Sequence, residues 1–428
     1  MPKPSAITAV KGFRDVLPEE SRRWQEIEAT AARVFRSYGF GEIRVPVLER
    51  TELFARSLGD TTDVVEKEMY SFEDRDGTWV TLRPEATASV VRAYVESGLV
   101  HRDARARLWY GGPMFRRERP QRGRYRQFHQ IGAEVFGRDD PLADAEVLLM
   151  LARFLSAVGI GGVRIEVNSL GDAACRPAYR ERLRAFGEAH REGLCGDCHR
   201  RLERNPLRLL DCKVESCRAI MTRAPVMVQH LCAPCRVHFD AVSALLDREG
   251  VSYALNTHMV RGLDYYCRTA FEVIAEGLGA QNAVGGGGRY DGLVAALGGP
   301  DVPGIGFALG LERLALVMAG DAQAAPGPEA VILPLADAAV APALSLATRL
   351  RDQGVSVGLE PAGRSLKALL RAADKQHARL AVIVGEDELK SGRATVRDLA
   401  RGEDRRDAFD LSAPGADLAR WVQTEVRA

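Results

Sequence analysis

The stretch Ala106–Gly137, "ARLWYGGPMFRRERPQRGRYRQFHQIGAEVFG", carries most of what the sequence says about the fold. Its two halves, "ARLWYGGPMFRRE" and "YRQFHQIGAEVFG", read as strands joined by an arginine-rich loop, which predicts an antiparallel pair. Arg116, Arg117, Arg119, Arg122, Arg124 and Arg126 crowd this loop, among Phe115, Tyr125, Phe128 and His129. The whole chain has a formal charge of only +1, so the positive charge is local. Arginine is always charged and clamps phosphate oxygens with paired N–H donors. A loop between two strands aims such groups accurately. The plain alternative is a solvated basic loop.

At 428 residues the chain exceeds one ordinary core, which predicts two or three domains. Its 46% hydrophobic and 27% charged residues are those of a globular protein. The N-terminal "MPKPSAITAVKGFRDVLPEE" has no apolar core of signal-peptide length, and no apolar run approaches the roughly 18 residues of a membrane span. The expectation is a cytoplasmic protein without membrane contact, its eight cysteines reduced or metal-bound.

Outward from the opening stretch, "SRRWQEIEATAARVFRSYGF" has helical spacing, and "GEIRVPVLE" and "TWVTLRP" read as short strands. "DDPLADAEVLLMLARFLSAVGI" predicts a helix capped by Asp140, with Pro141 first and Leu142, Ala145, Leu149, Ala152 and Leu155 on one face. Residues 171–254 are helical, arginine-rich and hold seven of the cysteines, so they read as an insertion. Strand-like sequence resumes with "TAFEVIAEG" and "NAVGGGGRYDGL", and "GIGFALGLERLALVMA" reads as a strand entering a helix. A small-residue linker, 319–330, precedes an α/β pattern with a largely parallel sheet.

Phosphate-loop chemistry is excluded, because no lysine follows a glycine anywhere in the chain. "GGGGRYDG" lacks the spacing of a dinucleotide fingerprint and reads as a tight turn or close backbone packing.

Several motifs converge. "FRRE" (115–118), with Phe128 ten residues after Glu118, resembles motif 2 of class II aminoacyl-tRNA synthetases. "GIGFALGLER" (304–313) resembles motif 3, and "VPVLE" (45–49) stands where motif 1 would. "RGLDYY" (261–266), "GGRYDGL" (287–293), "TLRPEATA" (81–88) and "RYRQFHQIGAEVFG" (124–137) are similar to the histidyl-tRNA synthetase family in particular. The likeness runs from "KGFRDVLP" (11–18) through the C-terminal domain, and class I signatures are absent.

The resemblance implies a class II synthetase-like α+β catalytic domain with an antiparallel sheet (1–325), carrying the cysteine-rich helical insertion (171–254). After the linker it implies an α/β anticodon-binding domain (331–428), and a homodimer. The implied substrates are L-histidine, ATP with Mg²⁺, and tRNA(His). By the same resemblance Arg116 meets the ATP α-phosphate, and Arg261 reaches it from the opposite side; these are the catalytic pair. Arg313 holds the γ-phosphate, Phe128 stacks on adenine, and Glu118 and Arg124 complete the ATP site. Glu85 and Thr87 receive the histidine ammonium, Gln130 contacts the carboxylate region, and Ala86, Arg116 and Arg261 also line the amino-acid site. Glu134, Tyr265, Tyr266 and Tyr290 form the imidazole pocket. Many relatives have glycine where this chain has Ala86. Arg119, Gln121 and Arg122 are expected at the tRNA acceptor end, and Arg364, Lys367 and Arg371 line either an anticodon face or a solvated helix. Without the motif, Glu134 reads as a surface strand residue and the tyrosines as core aromatics.

"CGDC" (Cys195, Cys198) and "CAPC" (Cys232, Cys235) have the spacing of two zinc knuckles offering four thiolates to one structural Zn²⁺. The bland reading is small buried hydrophobes on helices. Cys175 and Cys267 read as unrelated. Two other functions compete with the ligase: a histidine-sensing regulatory subunit of ATP phosphoribosyltransferase, and a non-catalytic tRNA-binding sensor. Related regulatory subunits lack the anticodon domain and have degraded motifs, whereas both motif arginines are present here.

Overall fold

The structure is a computed structural model that describes residues 6–59, 62, 64–260, 263, 265–276, 278, 282–318 and 327–427. The chain divides into two compact units, Met1–Asp321 and Ala322–Ala428.

The first unit is built on an eight-stranded sheet. Its order is Gly41–Glu42, Arg107–Phe115, Gln127–Phe136, Gly304–Gly310, Ala283–Arg289, Cys267–Ala275, Val163–Ser169, Tyr253–Leu255. The six central strands pair antiparallel, and only the two edge strands join in parallel. Side chains alternate across a strand, and here the two faces differ in kind. Ile131, Ala133, Val135, Ile305, Phe307 and Leu309 enter the main core, against helices Pro18–Ser37, Pro141–Ala157, Ala233–Arg248 and Leu311–Val317. The other face carries Tyr110, Met114, Phe136 and Tyr290 under helix Thr87–Glu96.

Helix Pro141–Ala157 begins as the sequence predicts: Asp140 accepts from the Ala143 N–H at 3.1 Å. Its predicted apolar face is rotated, however. Leu142 is 54% exposed, while Leu148, Leu151 and Phe154 are fully buried. Burying each of these gains about 1.5–3 kcal/mol, so packing on the sheet sets the rotation. The same helix buries Asp144.

The insertion has its own core around Tyr179, Leu183, Leu202 and Leu209, made by helices Arg176–Ala189, Gly196–Arg204 and Glu215–Met221. Its exit differs from the expected boundary at 254. Helix Ala233–Arg248 sends Phe239, Val242 and Leu246 into the main core, so it belongs to the layer behind the sheet.

The second unit has a five-stranded sheet, ordered Val357–Leu359, Ala330–Pro334, Leu380–Val384, Arg393–Asp398, Glu403–Asp410. Only the first two pairs are parallel; the last two are antiparallel, which corrects the largely parallel expectation. The connection between residues 398 and 403 is a tight turn, too short for a parallel crossover. Most of the predicted linker lies outside the described residues.

Candidate active site

The predicted hairpin forms: Arg107–Phe115 and Gln127–Phe136 pair from Arg107↔Val135 to Phe115↔Gln127. Beyond it, the Arg116 N–H donates to the Arg126 carbonyl at 2.8 Å, and the loop closes through reciprocal bonds between Gln121 and Arg124. Gly123 there has φ +72°, which glycine adopts without strain. The arginines divide by environment. Arg119 and Arg122, with Gln121, are exposed. Arg124 donates to Glu118 at 2.9 Å. The Arg126 backbone N–H donates to the Gly12 carbonyl, tying the segment after "KG" to the hairpin.

Arg116 donates from Nε to the Pro84 carbonyl at 2.8 Å, and its guanidinium lies 5.4 Å from the Phe128 ring centroid. Arg313, at the start of helix Leu311–Val317, donates to the carbonyls of Gly123 and Ala283. Burial, then the nearby positive charge of Arg124, pull its pKa down to about 10. Cations held this close repel each other, so the place favours an anion.

Near Arg116 the chain buries a cluster of polar side chains. Glu134 is fully buried and accepts three hydroxyls: Tyr290 at 2.6 Å, Thr87 at 2.8 Å and Tyr110 at 3.4 Å. Burial pushes its pKa up to about 8, against the hydroxyl bonds that favour the charged form. Glu85 is also buried and accepts the Thr87 and Ala88 N–H groups at 2.7 and 2.9 Å, so it caps helix Thr87–Glu96. Burial raises its pKa too, opposed by those bonds and by Arg116. Ala86 is wholly buried beside it. The Tyr265 ring lies 4.5 Å from that of Tyr266 and 5.9 Å from that of Tyr290. The Gln130 Oε1 is buried and has no hydrogen-bond partner among the described residues.

The glycine run is neither a turn nor a phosphate loop but a strand, where close backbone packing makes space. Gly132, Gly304, Gly306 and Gly288 share the face that bears Glu134. A Cβ on Gly306 would sit 1.7 Å from Glu134 Oε2, and one on Gly304 2.2 Å from the Tyr290 ring.

The structure thus brings together Glu85, Ala86, Thr87, Gln130, Glu134, Tyr265, Tyr266 and Tyr290 on one side, and Arg116, Glu118, Arg124, Phe128 and Arg313 along the adjoining hairpin. Arg261 lies outside the described residues. The cysteine expectation needs correction. Cys195 and Cys198 meet Cys212 and Cys217, whereas Cys232 and Cys235 meet Cys175 and Asp172. The CxxC pairs therefore do not share one ion, and Cys175 is not unrelated. The chain path, not the pair spacing, decides which knuckles meet.

Sequence reading missed three supports. Tyr110 adds a hydroxyl to Glu134. Glu312 accepts the His129 N–H at 3.0 Å, so motif 3 holds the hairpin from behind. Arg289, fully buried, donates to Asp144 at 2.8 Å and to Asp291 at 2.8 Å, and Asp144 also meets His238 at 2.8 Å. That network fixes the residue next to Tyr290. An acid on the apolar side of a helix was its one visible signal.

A mostly antiparallel sheet bearing these arginines and aromatics on a hairpin and a strand–helix junction defines a class II aminoacyl-tRNA synthetase. A family model described as "Histidyl-tRNA synthetase" matches residues 12–314, and one described as "Anticodon binding domain" matches 329–412. The chain belongs to the histidyl-tRNA synthetase family. It is 54% identical to the histidine–tRNA ligase of Geobacter metallireducens over 92% of this chain and 96% of that one. It is likewise 54% identical to that of Trichlorobacter lovleyi, over 98% and 100%. Among solved structures it is similar to apo S. aureus histidyl-tRNA synthetase, at 33% identity and a TM-score of 0.80, covering 98% of this chain and 100% of that one.

Proposed function

We propose that this site performs both steps of histidine–tRNA ligation. The chain is an aminoacyl-tRNA ligase: the histidine carboxylate attacks the α-phosphorus of ATP, forming histidyl-adenylate and expelling diphosphate. The 3′-terminal ribose hydroxyl of tRNA(His) then takes the histidyl group, releasing AMP. No enzyme nucleophile is needed, so the work is positioning and charge neutralisation.

The observation that carries the reading is the buried, hydroxyl-ringed carboxylate of Glu134. A neutral imidazole offers one N–H donor and one acceptor nitrogen. Glu134 takes the donor and the Tyr266 hydroxyl serves the acceptor, with Tyr265 and Tyr290 closing the pocket. Glu85 and Thr87 receive the ammonium beside Ala86. Gln130 would donate from its amide nitrogen to the substrate carboxylate, and its buried Oε1, without a partner among the described residues, would accept from a donor such as the ammonium. A buried pocket that pairs both ring nitrogens rejects residues lacking them by about 10⁴ or more. Arg116 and Arg261 flank the α-phosphate, Arg313 takes the γ-phosphate, and Phe128 stacks on adenine. Glu118 offers an oxygen donor that would hold the Mg²⁺ carried by ATP, which would there screen the phosphate charge.

The exposed Arg119, Gln121 and Arg122 suit the phosphates of the tRNA acceptor end, and Arg364, Lys367 and Arg371 offer an exposed basic face in the second unit. Leu48, Phe72 and Trp79, exposed on the small sheet of the first unit, support the homodimer reading. Among the described residues no helix is long and apolar enough to cross a membrane, consistent with work in the cytoplasm. The insertion's cysteines are read as ligands of structural zinc. The regulatory-subunit alternative is set aside, because the anticodon-binding unit and both motif arginines are present. The test is histidine-dependent ATP–diphosphate exchange followed by charging of tRNA(His). A purified chain that binds histidine but exchanges nothing refutes the ligase reading, and an Arg261→Ala variant with normal exchange refutes that residue's role.

A further inference from the structure

The cysteines of the insertion converge in two separate groups of four. Cys195, Cys198, Cys212 and Cys217 form one; Asp172, Cys175, Cys232 and Cys235 form the other. In each, the ligand atoms lie within 4.8 Å of one another. Zinc bonds of about 2.3 Å to sulfur and about 2.1 Å to oxygen, at tetrahedral angles, put sulfurs about 3.8 Å apart and sulfur about 3.6 Å from oxygen. Cys195 and Cys212 Sγ are 3.8 Å apart, and Cys175 and Cys235 Sγ 3.9 Å. Asp172 Oδ1 lies 3.6 Å from Cys175 Sγ and 3.8 Å from Cys232 Sγ. A disulfide needs about 2.05 Å, so these thiols stand at the spacing of ligands rather than of bonded sulfurs.

Two of the sulfurs also accept backbone donors: the Cys195 N–H donates to Cys217 Sγ at 3.1 Å and the Asp172 N–H to Cys175 Sγ at 3.4 Å. Asp172 Oδ2 lies 3.6 Å from the Arg268 guanidinium, which orients the carboxylate from outside the site.

We propose that the insertion holds two independent zinc ions, one on Cys195, Cys198, Cys212 and Cys217, the other on Asp172, Cys175, Cys232 and Cys235. Each binding thiol releases its proton to solvent, and no electron is transferred. The two-ion assignment rests on the metal reading of the cysteines alone, whereas the positioning role of the mixed site also rests on the ligase reading. The two ions do different work. The four-cysteine site holds together a helical core too small to be secure alone. The mixed site joins entry to exit of the insertion, across 60 positions of chain. It also abuts the segment after Tyr266. Arg268 exchanges backbone hydrogen bonds with Leu170 and Gly171, each at 2.7 Å, and the Arg176 guanidinium donates to the Tyr266 carbonyl. Asp172, Cys175, Cys232 and Cys235 are therefore positioning residues for Tyr266.

Elemental analysis of the full chain, grown with zinc and purified without chelator, is expected to find two zinc ions per chain, and one in each of Cys198→Ser and Cys235→Ser. Cys235→Ser should raise the KM for histidine several-fold with the KM for ATP unchanged; Cys198→Ser should lower the unfolding midpoint without that KM split. Stepwise release from the wild-type chain by an organomercurial, read with a chromogenic chelator, gives the same count if either variant does not fold. Less than about 0.2 zinc per wild-type chain overturns the metal reading itself. A single ion lost equally from both variants overturns the two-site assignment, and an equal rise in histidine KM for both overturns the division of roles. None of these outcomes touches ATP–diphosphate exchange by the wild-type chain, so the ligase reading stands or falls separately.

Discussion

The Tyr290 hydroxyl donates to Oε2 of Glu134 at 2.6 Å, joining strand ends 156 positions apart. This bond orients the carboxylate proposed to recognise the imidazole. Glu134→Gln should raise the KM for histidine about 10- to 100-fold, within the roughly 1–3 kcal/mol cost of leaving a buried polar group imperfectly paired. The KM for ATP should not change. Steady-state exchange assays separate the two, and an equal rise in both would dissociate Glu134 from histidine.

The same residue links folding to pH. Its ordinary pKa of 4.5 rises to about 8 in the folded chain, chiefly through burial. Between those values the native state binds more protons than the unfolded one, so this group makes stability fall as pH rises from about 4.5 to about 8 and level off above. Glu134→Gln has no such slope. Its unfolding free energy relative to wild type should increase across the window, by on the order of a few kcal/mol. Denaturant midpoints at pH 5 and pH 8 measure this, and a pH-independent difference would contradict it.

Gly306 is required for space. Its Cβ would stand 1.7 Å from Glu134 Oε2 and 2.5 Å from the Ala133 carbonyl. Gly306→Ala should displace the carboxylate and lower histidine activation at least about 10-fold, with a stability loss of about 1–3 kcal/mol from overpacking. Calorimetric titration with histidine checks the first effect; unchanged affinity would show that the pocket floor gives way.

The arginine hairpin should separate into two phenotypes. Arg116→Ala removes the charge proposed to meet the α-phosphate and should cost about 10²–10³ in exchange. Arg122→Ala should spare exchange, weaken charging, and reduce the salt slope of tRNA binding by about 1. Equal loss of both steps in Arg122→Ala would argue against the division.

Arg289→Met leaves Asp144 buried beside His238 without its guanidinium. Breaking such a pair costs about 3–5 kcal/mol. Chemical denaturation should register that loss, and near wild-type stability would mean that His238 alone compensates Asp144.

The parts most legible in advance were those written in local pattern. Asp140 and Pro141 announce a helix start, and the two halves of Ala106–Gly137 announce a hairpin, because both depend on neighbours in sequence. The site residues near Glu134 were legible only through motifs, since a lone buried glutamate has no local signature. The Arg289–Asp144–His238 network was invisible because its members lie 145 and 94 positions apart and meet only after folding. The cysteine pairing failed for the same reason: CxxC spacing identifies a knuckle but not its partner.

The strand Gln127–Phe136 sends Phe128, Gln130 and Glu134 to the face proposed to meet the reactants and Ile131, Ala133 and Val135 to the core, while Glu312 binds the His129 N–H. Such a strand has a phase as well as a sequence. Losing or gaining one residue within it would turn every later side chain over, burying the recognition groups and presenting aliphatic ones to histidine and ATP. This segment can therefore vary by exchange of one residue for another but not by change of length, and length changes in relatives should gather in the loop around Gly123 instead.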